Sequence, residues 1–175
     1  MGMMKFKFLR ALTSGPTTST FQSLMLPTTI AATACTIAKR LHKMAKLHLI
    51  RSWPGSGKST FAHKKFPGVL LLENDQYHMH NGVYDWHKEN MPAAIDWCVN
   101  MVRMALENGM DCVVANTFTK RAFVDAYKKI AEETGASFDV YRCTGNFKNV
   151  HGLNDSLVDN FKKSMEDYPG EIIVE

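Results

Sequence analysis

The sequence predicts an α/β domain: a three-layer sandwich in which a parallel sheet of four or five strands carries helices on both faces. Two observations predict it. Short apolar runs that end at turn residues alternate with longer segments whose apolar positions recur every three or four residues, the pattern of strands separated by crossover helices. The first apolar run also passes directly through a Gly-rich turn into the first helical segment. No internal repeat competes with this reading.

The elements follow in order. Leu47–Ile50 is a short apolar run ending at a Pro/Gly turn, which suits a strand buried on both sides. A helix opens at about Lys58. Val69–Leu72 forms the second strand after Pro67-Gly68. Pro92 stands where a helix begins, and Ile95, Cys98, Val102 and Leu106 are its predicted inner face, closed by Gly109. Cys112–Ala115 is the third strand, and Ala122–Glu133 an amphipathic helix ended by Gly135. Phe138–Tyr141 is the fourth strand. Asp155–Met165 is the last helix, with Leu157, Val158, Phe161 and Met165 on one face, and Ile172–Val174 is a candidate fifth strand.

Composition narrows the class. Of 175 residues, 45% are hydrophobic and 22% charged, which is ordinary globular usage. No run of about 18 apolar residues occurs, so a helical membrane span is not expected. The net charge of +4 averages two unlike pieces. Residues 1–43 hold six Lys/Arg, eleven Ser/Thr and no acid, which leaves 15 Lys/Arg against 17 Asp/Glu, a net of −2, in residues 44–175. A broad basic face for duplex nucleic acid is therefore not indicated. Residues 1–43 read as a disordered extension or as sequence upstream of the true start at Met44; a transit peptide is the alternative. The protein is expected in the cytoplasm, or in mitochondria if that segment is a transit peptide. Three of the four cysteines (Cys35, Cys98, Cys112 and Cys143) fall within apparent helix or strand patterns and read as small buried hydrophobes in a reduced compartment.

Ser52-Trp53-Pro54-Gly55-Ser56-Gly57-Lys58-Ser59-Thr60 is the strongest chemical signal. It lies between a strand and a helix, where a phosphate-binding loop belongs, and so defines the fold as that of a P-loop NTPase. Gly55 and Gly57 let successive N–H groups turn inward toward phosphate oxygens, and the helix start adds its positive dipole end. Lys58 is placed to reach the β- and γ-phosphates of ATP, and the Ser59 hydroxyl to ligate Mg²⁺. Ser52 stands where the first glycine of the usual pattern falls.

Asp75 follows the second strand, at the carboxyl edge where ligands bind in parallel sheets, and is the candidate general base. Glu73 competes with it, as a group that helps hold Mg²⁺ through water. His78, His80 and His87 read as polar residues of a loop or substrate cleft. The third strand ends Ala115-Asn116-Thr117, without the Asp that usually holds Mg²⁺ there. Asn116 and Thr117 are candidate substrate ligands, and Lys120 and Arg121 candidate binders of a substrate phosphate. The segment Asn146–Asn154 carries Lys148, expected to act as a lid over the transferring phosphoryl group, and His151, a further substrate candidate.

Together these blocks resemble the polynucleotide-kinase-like branch of P-loop kinases over about residues 46–166. Residues 50–60 look like the family's RGLPGSGKST, Glu73-Asn74-Asp75-Gln76-Tyr77 its general-base segment, and Asn81-Gly82-Val83-Tyr84 its NGEY. Residues 114–119 look like VDNTNT or NTFT, and residues 148–153 like the lid sequence RNTHGVP. Ser52, Gln76, Ala115 and Lys148 depart from those patterns; Lys148 supplies charge but not the planar fork of arginine. The resemblance implies ATP-dependent transfer of a γ-phosphoryl group to a hydroxyl, with the nucleic-acid 5′ end and a small molecule both open as acceptor. A non-catalytic nucleotide-binding switch and a simple ATPase are the alternatives.

Overall fold

A computed structural model describes residues 44–147 and 152–175. The segment 1–43, together with Lys148 and His151, lies outside the described residues.

Strand β1 (Lys46–Arg51) occupies the centre of the sheet, and its inner positions are buried on both faces. Helix α1 (Lys58–Lys65) leads to β2 (Leu70–Leu72). A 3-10 turn over Asn74–His78 and a small hairpin, β3 (Met79–His80) and β4 (Val83–Tyr84), come next. Then follow α2 (Met91–Glu107), β5 (Cys112–Asn116), α3 (Arg121–Thr134), β6 (Ser137–Cys143), α4 (Asp155–Ser164) and β7 (Ile172–Val174). The sheet order is β2-β5-β1-β6-β7 and every pairing in it is parallel. Five parallel strands with helices on both faces are the predicted architecture.

Alternation along the strands divides the core. Leu47 and Leu49 of β1, Cys112 and Val114 of β5, and Val140 of β6 face α2 and α3, meeting Cys98, Val102, Val124 and Ile130. Ile50, Val113, Ala115, Tyr141 and Cys143 face the other way, against Ala62, Phe61 and Phe66 of and after α1. The three cysteines within elements are buried and free.

Two helix faces differ from expectation. Ile95 is 43% exposed, because Ala94, Cys98, Val102 and Ala105 form the inner stripe of α2. In α4, Leu157 points outward and Val158 is the buried residue. Cys98, Val102 and Leu106 are buried as expected, and only at the first turn does a short alanine, Ala94, take the place read for Ile95. The hairpin was also not anticipated as an element. Its turn residues Asn81 and Gly82 have φ of 50° and 80°, the left-handed pair that a type I′ turn requires.

Arg51, at the carboxyl end of β1, is fully buried. Its Nε donates to the Phe118 carbonyl at 3.0 Å, Nη2 to the Glu166 carbonyl at 2.8 Å, and Nη1 to Glu171 Oε2 at 2.9 Å. One guanidinium thereby ties the β5–α3 loop and the segment before β7 to the central strand. Arg51→Met is expected to destabilise the fold by about 3 kcal/mol, because it leaves the buried Glu171 carboxylate with only its longer 3.3 Å ion pair to Arg142 and strips the Phe118 and Glu166 carbonyls of a donor. Urea unfolding measures this, and a loss below about 1 kcal/mol would remove the clamp from the account.

Candidate active site

The loop between β1 and α1 is fastened at both ends. Ser52 Oγ donates to the Cys143 carbonyl at the end of β6, at 2.5 Å, so the serine in the glycine position joins neighbouring strand ends. At the other end Gly57 is the N-cap of α1, with φ of 89°. No side chain caps this helix, and no acidic residue sits in its first turn. Together with left-handed Gly55, this leaves backbone donors at a positive helix end, an arrangement suited to an anion. Ser56 N–H closes a turn onto the Trp53 carbonyl at 3.3 Å.

Lys58 folds back, its Nζ donating to the Trp53 carbonyl at 2.8 Å. Burial pushes its pKa down to about 8, against the opposing charges of Glu73 and Asp75. The sign of the pH effect follows. Folding disfavours the ammonium, so the penalty is full below about pH 8 and is relieved as pH rises toward the ordinary 10.5. An anion needs that ammonium. Affinity for a triphosphate is therefore expected to fall by up to about tenfold per pH unit above 8. Calorimetric titration from pH 7 to 9.5 checks this, and a flat profile would contradict it.

Ser59 Oγ donates to Glu73 Oε1 at 2.6 Å, which brings the first turn of α1 against the end of β2. A hydroxyl and a carboxylate form an all-oxygen donor pair, which fits a hard cation such as Mg²⁺. Among the described residues no group of three or more His, Cys, Asp or Glu side chains could hold a metal by itself.

Asp75 lies in the 3-10 turn, and its Oδ1 accepts from the Tyr84 hydroxyl at 3.2 Å. The turn is held from two sides. Gln76, the departure from the resembled motif, accepts from Glu73 N–H at 3.2 Å and donates to the Leu71 carbonyl at 3.1 Å. Asn116 at the end of β5 accepts from Asn74 N–H at 2.9 Å and donates to Asn74 Oδ1 at 3.2 Å. Asn116 thus reaches the crevice through the backbone that carries Asp75. Thr117 is the first residue past the end of β5.

Lys120 and Arg121 stand at the start of α3. Lys120 Nζ pairs with Glu166 Oε1 at 3.1 Å, and Arg121 Nε donates to the Asp167 carbonyl at 2.6 Å. Both side chains therefore lie against the segment that Arg51 anchors. His78 is fully buried among aromatic rings, and His87 pairs with Asp85 at 3.0 Å.

One contributor was not singled out in the sequence. Phe147 N–H donates to the Gly55 carbonyl at 2.7 Å, and its ring lies over Gly57, where a Cβ would come within 2.9 Å of Cε2. Phe147, Thr60, Phe61 and Lys64 line a groove of about 460 Å³ that also takes in Ser56 and Gly57 of the loop. The aromatic next to the predicted lid residue was the available signal.

A parallel sheet with a glycine-capped anion loop after its central strand, and carboxylates after the neighbouring strand, defines a P-loop protein of kinase-like fold. The chain belongs to the AAA domain family, whose profile matches residues 47–145. It is 32% identical over 132 residues to an uncharacterized protein of Pasteurella multocida, covering 66% of this chain and 73% of that one. Among solved structures, a sugar kinase from Janibacter sp. superposes with a TM-score of 0.53 at 18% identity, over 74% of this chain and 84% of that one. A chain of the Pnkp1/Rnl/Hen1 RNA repair complex superposes with a TM-score of 0.51 at 18% identity, over 76% of this chain but 43% of its own length. The polynucleotide-kinase-like resemblance drawn from the motifs agrees with this membership and this fold.

Proposed function

We propose that the protein is an ATP-dependent kinase that transfers the γ-phosphoryl group to a hydroxyl acceptor. The observation that carries the reading is the convergence of Lys58, the Ser59–Glu73 pair and Asp75 on the uncapped start of α1. The backbone of Gly55–Ser59 binds the triphosphate, and the base lies along the groove beside Phe147 and Thr60. Lys58 exchanges the Trp53 carbonyl for phosphate oxygens and offsets the charge that builds on them. Ser59 and Glu73 would hold Mg²⁺, which when bound neutralises phosphate charge. Asp75 takes the acceptor's proton as its oxygen bonds to the γ-phosphorus, and the bond to the β-γ bridging oxygen breaks to release ADP.

The acceptor is a hydroxyl on a nucleic-acid 5′ end or on a small molecule. A second reading, a nucleotide-binding switch, is favoured by Ala115, which gives β5 no carboxylate at the crevice. One experiment separates them. Protein is incubated with γ-labelled ATP, magnesium and a panel of 5′-hydroxyl oligonucleotides, nucleosides and sugars. Label on an acceptor supports the kinase; nucleotide binding with no transfer favours the switch; release of inorganic phosphate alone means an ATPase.

A further inference from the structure

The hairpin β3–β4 has little reason to exist as an independent unit. Two residues per strand joined by a tight turn are marginal in water, and Met79, Val83 and Tyr84 are all substantially exposed. Aromatic packing holds it in place. The buried His78 ring lies edge-on to Tyr77 at 5.7 Å and to Tyr84 at 6.2 Å, and it is tilted against Trp86 at 6.5 Å. Tyr77 in turn meets Trp97 of α2 at 6.3 Å. Asp85 N–H donates to the His78 carbonyl at 2.8 Å and extends the pairing past Tyr84. A type I′ turn, a two-pair ladder and a ring cluster thus converge on the direction of one side chain. That side chain ends 3.2 Å from Asp75 Oδ1.

We propose that Tyr84 is a positioning residue for Asp75, and that the hairpin exists to deliver its phenol to that carboxylate. The proposal rests on the reading of Asp75 as the general base. Proton abstraction needs a carboxylate oxygen held in a fixed place near the acceptor hydroxyl. The phenol donates to one oxygen and fixes the plane of the group. Burial, and then the Asp75 charge, push the Tyr84 pKa up to about 12, so it remains a donor throughout the working range. Tyr84 touches neither nucleotide nor acceptor in this scheme, and its effect on transfer runs through Asp75.

The test is a double-mutant cycle on phosphoryl transfer from γ-labelled ATP, using whichever oligonucleotide, nucleoside or sugar of the panel accepts label from the wild-type protein. Tyr84→Phe, which keeps the ring, is expected to lower kcat about tenfold or more, the worth of a hydrogen bond to a charged group. The KM for ATP and the melting temperature should stay unchanged. In an Asp75→Asn background the same change should cost nothing further, since no base remains for the phenol to orient. Tyr84→Phe at the wild-type rate overturns the inference while Asp75 keeps its role. So does an equal loss in both backgrounds, which would mean a structural effect. Full activity of Asp75→Asn, or no probe accepting label, would instead overturn the proposed function, and this inference with it.

Discussion

Asp75→Asn is expected to lower phosphoryl transfer by about 10²–10⁴-fold, the usual worth of a positioned general base. The asparagine oxygen still accepts from the Tyr84 hydroxyl, and the turn keeps its anchors at Gln76 and Asn116, so the geometry survives. Only the capacity to take a proton is lost. ATP affinity should remain within a few-fold, because Asp75 ranks behind burial and behind Glu73 among the influences on Lys58. Labelled-phosphate transfer and calorimetry on the same preparation give both numbers. Turnover equal to wild type would remove Asp75 from the mechanism.

Lys58→Ala acts at the earlier step. The ammonium is the basic group that the loop itself supplies, and it is held ready on the Trp53 carbonyl. Its loss leaves triphosphate charge facing backbone dipoles alone, and ATP affinity should drop by about 100-fold, or roughly 2.7 kcal/mol. The gain in melting temperature that saturating magnesium and ATP give the wild type should vanish at the same concentrations. The nucleotide-free variant should fold normally, since the displaced partner is a partly exposed turn carbonyl. Unchanged affinity would mean that the triphosphate does not bind in this loop.

The sheet was legible in the sequence because its strands are buried on two faces. Leu47–Ile50, apolar but for a buried His48, and Cys112–Ala115 lack the polar face that would confuse them with helix, and a Pro/Gly turn or a short loop bounds each. The β1–α1 loop was legible because its signal is local: nine consecutive residues carry both the turn and the charge. What escaped was non-local or small. Arg51 looked like part of a motif, and nothing near it in the chain announces partners 67 and 120 residues away. Asn116 read as a ligand because its polarity at a strand end fits either role; its bonds to Asn74 depend on β2 lying beside β5. The hairpin had a strong local signal in Asn81-Gly82, but its strands are too short to show alternation. Gln76 read as a lost carboxylate, whereas its amide braces the turn that carries Asp75.

The reach of Arg51 also bears on how the chain is made. β1 leaves the ribosome early, yet the carboxylate that balances its buried cation arrives 120 residues later. At roughly 5–20 residues per second, the strand waits several seconds with an uncompensated charge at its tip. Closure of the sheet around its own centre is therefore expected to wait until Glu171 is available to Arg51.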